Sequence, residues 1–234
     1  MTSKVIDLFA GVGGLSLGAA RAGFSLAAAV ELDVIARGTH QKNFPKVRHL
    51  DNDIGLLDGA ELMKLAGVEP GKLGGLIGGP PCQGFSDMGL RTAADPRNEL
   101  FVHFFRLVKQ TRPAFFLAEN VPGVTSPRNI EILQRAREEI PASYEVLEPI
   151  IVKASDHGAP TTRTRVFFIG YDKDAIGAMT SLDFGPRLND DVRVAEALSG
   201  LPPIRSSWQK EDQSWRSVET LAATVYGERT MGAI

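Results

Sequence analysis

The 234 residues contain one cysteine, Cys82, within Gly78-Gly79-Pro80-Pro81-Cys82-Gln83-Gly84-Phe85-Ser86. Prolines hold φ near −65° and remove backbone donors, while glycines let the chain turn sharply and approach a ligand. Such a loop, directly after the apolar run at 73–77, presents a thiol at the end of a strand. A free thiol titrates at about 8.5, so a nucleophilic thiolate at neutral pH needs a cation or a helix terminus beside it. The other reading is a small buried apolar cysteine, although a core strand has no use for the flanking glycines and prolines. Carboxylates recur after other apolar runs: Glu31 after 25–30, Asp53 after 47–50 and Glu119 after 114–118. Arg163 and Arg165 alternate, so on a strand both project from one face. They could equally be exposed arginines at a strand start.

The elements that must position these groups are legible as alternating patterns. Residues 4–9 read as a strand, followed by the turn Ala10-Gly11-Val12-Gly13-Gly14 and a helix. A second strand at 25–30 delivers Glu31 about 20 residues beyond the turn, where a carboxylate can accept both ribose hydroxyls of a nucleoside cofactor. Glu31 could instead be a solvated acid. A helix at 34–43, a strand at 47–50, a helix at 58–66 and a strand at 73–77 continue the alternation. Residues 87–96 form either a mobile flap or a plain surface loop. An amphipathic helix at 98–110 buries Leu100, Phe101, Phe104, Phe105, Leu107 and Val108. After it come a strand at 114–118, a helix at 129–140, and long strands at 144–154 and 166–171 whose short joint fits an antiparallel hairpin. A short helix falls within 192–198. In an open α/β sheet ligands bind beyond the carboxyl ends of the strands, so the turn at 9–14, Glu31, Asp53 and Cys82 are expected on one rim.

Composition bounds the possibilities. A chain of this length can bury a full core. A lone cysteine forbids an internal disulfide and CxxC metal sites, which suggests no metal and a reducing, cytoplasmic setting. No stretch approaches the 18 apolar residues of a membrane helix. A net charge of −2 and a pI near 6.1 supply no global attraction to nucleic acid, so binding DNA would require local cationic clusters.

Taken together, DLFAGVGGLSLG from Asp7, VELD from Val30, GGPPCQGFS from Gly78, RNEL from Arg97, ENVPG from Glu119 and TRTRVFFIG from Thr162 resemble the C5-cytosine DNA methyltransferase family, in its order and spacing. The resemblance implies a Rossmann-like α/β fold with a mostly parallel seven-stranded sheet and one antiparallel strand. It implies an S-adenosyl-L-methionine site at Phe9, Ala10, Gly11, Gly13, Gly14, Glu31, Leu32, Asp53, Ile54, Pro80 and Leu100. It also implies a catalytic set of Cys82, Glu119, Arg163 and Arg165, with DNA as substrate and a place in a restriction-modification system. C5 of cytosine is a poor nucleophile, and thiolate addition at C6 with proton donation to N3 would activate it. The base must leave the duplex for this to happen.

Two departures stand out. Thr161 occupies a position where the family usually carries glutamine. After the Ala195-Glu196-Ala197-Leu198-Ser199-Gly200-Leu201-Pro202 segment that introduces the family's target-recognition region, no further family motif is recognisable. Residues 1–185 are thus expected to form the cofactor-binding and catalytic domain and 186–234 an incomplete recognition region or linker, with a C-terminal half or second polypeptide required. Competing readings are a non-catalytic cofactor-binding scaffold, an RNA-directed member of the same family, and a nicotinamide-dependent enzyme that would leave Cys82 and Glu119 without a role.

Overall fold

The computed structural model describes residues 3–81, 99–186 and 193–198. The expected flap at 87–96, Cys82 itself and nearly all of 186–234 lie outside these residues. The chain divides into two units, one formed by residues 1–152 and 164–185 with residue 234, the other by 153–163 and 186–233.

In the first unit the apolar runs become strands because their β-branched and leucine side chains have a sheet to bury them. The strands are β1 (Lys4–Leu8), β2 (Ser25–Val30), β3 (Arg48–Leu50), β4 (Leu73–Gly78), β5 (Phe115–Asn120), β6 (Tyr144–Val146), β7 (Ile150–Lys153) and β8 (Thr164–Asp172). The main path is β3-β2-β1-β4-β5-β8-β6, with β7 also paired to β8. β1 to β5 pair in parallel, whereas β8 runs antiparallel to both β5 and β6. Along that path β8 alone is reversed, as expected of a seven-stranded sheet with one antiparallel strand. The eighth strand arises because the stretch at 144–154 breaks in two. Pro149 lacks the N–H that a continuous strand would donate, so β6 ends at Val146 and β7 starts at Ile150.

Helices α1 (Gly14–Arg21), α2 (Val34–Asn43), α3 (Gly59–Ala66), α4 (Glu99–Thr111) and α5 (Ile130–Glu138) belong to the same unit. Two of them start on aspartate caps: Asp33 accepts the Ala36 N–H at 2.7 Å and Asp58 accepts the Glu61 N–H at 2.9 Å, which satisfies otherwise orphaned donors. All six residues of β4 are buried. α4 covers the sheet with Phe101, Phe104, Phe105, Leu107 and Val108, and edge contacts join Phe105 to Phe116 and Phe101 to Phe168, each with centroids 5.4 Å apart. Truncating one such phenylalanine to alanine costs about 3–5 kcal/mol, so α4 is fixed firmly to the sheet. Among the described residues no helix is long and apolar enough to cross a membrane.

The second unit contributes a 3₁₀ turn at Ala154–His157 that ends on Gly158 with φ 78°. It also contains α6 (Val194–Leu198). Within it the Ala154 N–H donates to the Arg163 carbonyl at 2.8 Å.

Candidate active site

The register places the ends of five strands side by side. Leu8 lies opposite Val30 and Gly78, Val30 opposite Leu50, and Gly78 opposite Ala118. The chain passes from β1 outward to β2 and β3 on one side and to β4 and β5 on the other, so the sheet reverses its strand order between β1 and β4. That is where open α/β sheets bind ligands.

On the β1 side the chain leaves the strand through Phe9, a non-glycine residue at φ 59°, in a left-handed conformation that L-residues hold only where the surroundings enforce it. The turn closes with the Gly13 N–H donating to the Ala10 carbonyl at 3.0 Å. Gly13 sits at φ 104°, and a Cβ there would come within 2.4 Å of the Phe44 ring, so only glycine lets α1 begin this close to α2. Glu31 accepts the Gly11 N–H on Oε2 and the Asp33 N–H on Oε1, both at 2.8 Å. Each carboxylate oxygen can accept a further hydrogen bond. Arg37 from α2 donates to the Glu31 and Leu32 carbonyls at 2.8 and 3.3 Å. Asp53 Oδ1 accepts the Gly55 N–H at 2.8 Å.

A pocket opens beside these groups, lined by Phe9, Val30, Glu31, Leu32, Asn52, Asp53, Ile54, Pro81 and Leu100. Six of the predicted cofactor residues, Phe9, Glu31, Leu32, Asp53, Ile54 and Leu100, are among them. Ala10, Gly11, Gly13 and Gly14 form the turn and helix start beside the pocket instead of its wall, and Pro81 takes the lining position expected of Pro80. Val30 and Asn52 carried no signal of their own in the sequence. Apolar walls with a few carboxylates suit a nucleoside with a flat base, ribose hydroxyls and a positive charge, which is the chemistry of S-adenosyl-L-methionine.

Beneath the turn runs a polar chain that the sequence reading missed. Ser16 Oγ donates to Asp7 Oδ2 at 2.6 Å, His40 Nε2 lies 2.9 Å from Ser16 Oγ, and His49 Nε2 lies 2.8 Å from His40 Nδ1. With both imidazoles neutral, one donor order satisfies the whole series. Burial pushes the Asp7 carboxyl up to about 7, and burial, followed by the charge of His49, holds His40 down at about 4.

On the β4 side three elements meet. Asn120 Nδ2 at the end of β5 donates to the Pro80 carbonyl at 3.3 Å, fixing the chain two residues before Cys82. A Cβ on Gly79 would lie 3.1 Å from Glu119 Oε2, so the glutamate reaches the root of the cysteine loop. From β8, Arg165 Nε is 2.7 Å from Glu119 Oε1, and Arg165 Nη1 donates to the Thr164 carbonyl at 2.7 Å. The antiparallel register allows this contact: Phe167 lies opposite Glu119, and Arg165, two residues away on the same face of β8, is its diagonal neighbour. Arg163 belongs to the second unit, where its N–H donates to Thr161 Oγ1 at 3.3 Å. Asn120, Arg37 and Arg106 emerge only from the structure; the first stands next to Glu119 in sequence, and the other two are single arginines on polar helix faces.

Comparison with known proteins bears on the whole arrangement. The model of the C-5 cytosine-specific DNA methylase family matches residues 3–215. The Type II methyltransferase M.XorII of Xanthomonas oryzae is 35% identical over 212 residues, which cover 90% of this chain and 49% of M.XorII. M.AquIA of a Picosynechococcus species is 33% identical over 224 residues, 87% of this chain and 90% of M.AquIA. The crystal structure of an E. coli protein described as a prophage-encoded DNA modification methyltransferase superposes with a TM-score of 0.80 at 47% identity, covering 94% of this chain and 61% of that one. The chain thus spans about half the length of curated relatives such as M.XorII. A match that runs through the glycine turn, both acids of the pocket, the cysteine loop and Glu119 makes this chain a member of the C-5 cytosine-specific DNA methylase family.

Proposed function

We propose that the chain carries the catalytic centre of a Type II DNA cytosine-5 methyltransferase of a restriction-modification system. The observation that carries this reading is the convergence of Glu119, Asn120 and Arg165 on the root of the Cys82 loop, next to a pocket framed by Glu31 and Asp53. Bound S-adenosyl-L-methionine supplies an electrophilic methyl group. Its ribose hydroxyls would be met by Glu31, its base by Ile54 and Leu100 with Asp53 at the edge, and the turn at 9–14 would face its polar end.

Cytosine enters flipped out of the duplex, since its C6 and N3 are inaccessible within it. Cys82 thiolate forms a bond to C6, Glu119, which takes up a proton from solvent as the base enters, gives that proton to N3, and the pair of electrons pushed to C5 takes the methyl group as its bond to the sulfonium sulfur breaks with the electrons staying on sulfur. A base then removes the C5 proton, the C6–S bond breaks with its electrons returning to sulfur, and N3 returns its proton to Glu119. Arg165, with five N–H groups of which Nε and one Nη1 are engaged as described, can donate to the cytosine O2 while keeping Glu119 in place. Arg163 is assigned the same task of holding the base and favouring thiolate.

Base readout requires roughly 1,000–2,500 Å² of positive surface. Residues 186–234 are assigned the beginning of that surface. It would come from further chain or from a second polypeptide, and M.AquIA, with little length beyond its match, favours the second polypeptide. The deciding experiment supplies methyl-labelled cofactor with duplex DNA or tRNA, with and without a recognition polypeptide. Label in the C5 position of DNA cytosine, at one site only when that polypeptide is present, is expected. Label in tRNA alone, or none in either, would overturn the proposal.

A further inference from the structure

The pocket's outer wall is a turn without regular structure, and something must hold it. Asp53 curls the turn on itself: its carbonyl accepts the Leu56 and Leu57 N–H groups at 3.0 and 2.9 Å. The turn is then gripped from outside by one side chain on α4. Arg106 Nη2 donates to the Ile54 carbonyl at 2.7 Å and Nη1 to the Leu57 carbonyl at 3.0 Å. The remaining contacts orient the guanidinium itself, with Nη1 also on Gln110 Oε1 at 3.1 Å and Nε on His103 Nδ1 at 3.2 Å. Gln110 Oε1 in turn accepts the Gly59 N–H at 2.9 Å, which ties the start of α3 to the same helix. Among the described residues Arg106 makes no ion pair with a carboxylate, so its charge is spent on backbone carbonyls.

We propose that Arg106 is a positioning residue for cofactor capture: α4 lines the pocket through Leu100 and, through the Arg106 fork, fixes the loop that lines it through Ile54. A rigid helix therefore dimensions a pocket that is also lined by an irregular loop. The planar fork matters because two carbonyls are held at once, which a lysine ammonium does less well. A related contact serves the other acid: Arg37 Nη1 of α2 donates to both the Glu31 and Leu32 carbonyls while Nη2 pairs with Asp51 at 3.6 Å, so an arginine from a helix holds the backbone beside each acid of the pocket. The proposal rests on the pocket being the S-adenosyl-L-methionine site.

The test compares the full chain with Arg106→Lys, Arg106→Ala, Glu31→Ala and Lys109→Ala, the last an exposed α4 residue that pairs with Glu139. S-adenosyl-L-methionine affinity is measured by calorimetry and deuterium uptake is followed over residues 52–58. Arg106→Ala is expected to bind about tenfold more weakly, the scale of losing hydrogen bonds to a charged group, and Arg106→Lys to fall between it and the wild type. In turnover assays the loss should appear in the cofactor KM, with kcat retained at saturation. Exchange at Gly55, Leu56 and Leu57 should quicken in both variants while circular dichroism stays native. If Arg106→Ala does not fold, Arg106→Lys carries the same comparison. Arg106 variants that match Lys109→Ala in affinity and exchange, while Glu31→Ala binds weakly, would overturn the positioning role alone. A wild-type chain that fails to bind the cofactor, or a Glu31→Ala variant that binds normally, would overturn the pocket reading and the proposal with it.

Discussion

The two halves of the rim are built by different means. On the β1–β3 side, carboxylates are fixed by backbone N–H groups: Glu31 by Gly11 and Asp33, Asp53 by Gly55. On the β4–β5–β8 side, side chains fix one another or the cysteine loop across distant strands: Glu119 with Arg165, and Asn120 with the Pro80 carbonyl. Backbone donors cannot rotate away, so the first half is a standing receptor. A side-chain ion pair can exchange partners, so the second half can rearrange when a base enters. On the proposed function, the half assigned to the cofactor is preorganised and the half assigned to the base is completed by substrate.

The sharpest break between the halves comes from Cys82→Ala. Methyl transfer should be abolished with cofactor affinity within about twofold of wild type, since the thiol is assigned to the base side; methylation and calorimetry on the same preparation check this. A 5-fluorocytosine substrate should leave a denaturation-resistant complex with the wild-type chain and none with the variant. Turnover close to wild type would sink the covalent mechanism.

Glu119→Gln comes next, with kcat expected to fall by about 10²–10⁴, the usual worth of a positioned acid. Cofactor binding should hardly change, and equal losses in kcat and cofactor affinity would mean that the two halves are not separable.

On the cofactor side, Glu31→Ala should weaken S-adenosyl-L-methionine binding by about 1.5–3 kcal/mol. It also strips the Gly11 and Asp33 N–H groups of their acceptor, so the turn should loosen as well. Unchanged affinity in calorimetry would make Glu31 a merely structural acid.

The smallest effect concerns the chain under the turn. Asp7 is raised from 3.8 to about 7, so the folded state keeps a proton that the unfolded state has lost, and this group's contribution to stability declines as pH rises between those values. His40 is lowered from 6.5 to about 4, so the unfolded state holds the extra proton and its contribution increases with pH over that window. Between about pH 4 and 6.5 these two contributions oppose each other. Relative to the wild type, the melting temperature of Asp7→Asn should rise more steeply with pH, and that of His40→Gln less steeply. Identical slopes in all three proteins would show that the buried chain does not titrate as assigned.

The same contrast explains what could be read from the residues. The β1–β3 half of the rim was legible because its determinants are local. A strand, a glycine turn and an acid after the next strand lie within about 20 residues, and Glu31 does reach Gly11. The elements were legible for a similar reason, since apolar periodicity reports burial directly, and α2, α3 and α4 fall within a residue or so of their expected ends. The split of the stretch at 144–154 had its signal in Pro149, a residue without a ladder donor.

What the sequence determined by itself, then, is the order of strands and helices, the glycine turn and the acids at the strand ends, because each depends on neighbours along the chain. The tertiary structure decided the rest. It inserted β8 antiparallel between β5 and β6, and only that register brings Arg165 to Glu119. It sent Arg106 back to carbonyls at Ile54 and Leu57 and linked Asp7, Ser16, His40 and His49 across four elements. A hydrogen bond between groups tens of residues apart leaves no periodicity in the chain, because its partners are chosen by the packing of the sheet and not by spacing.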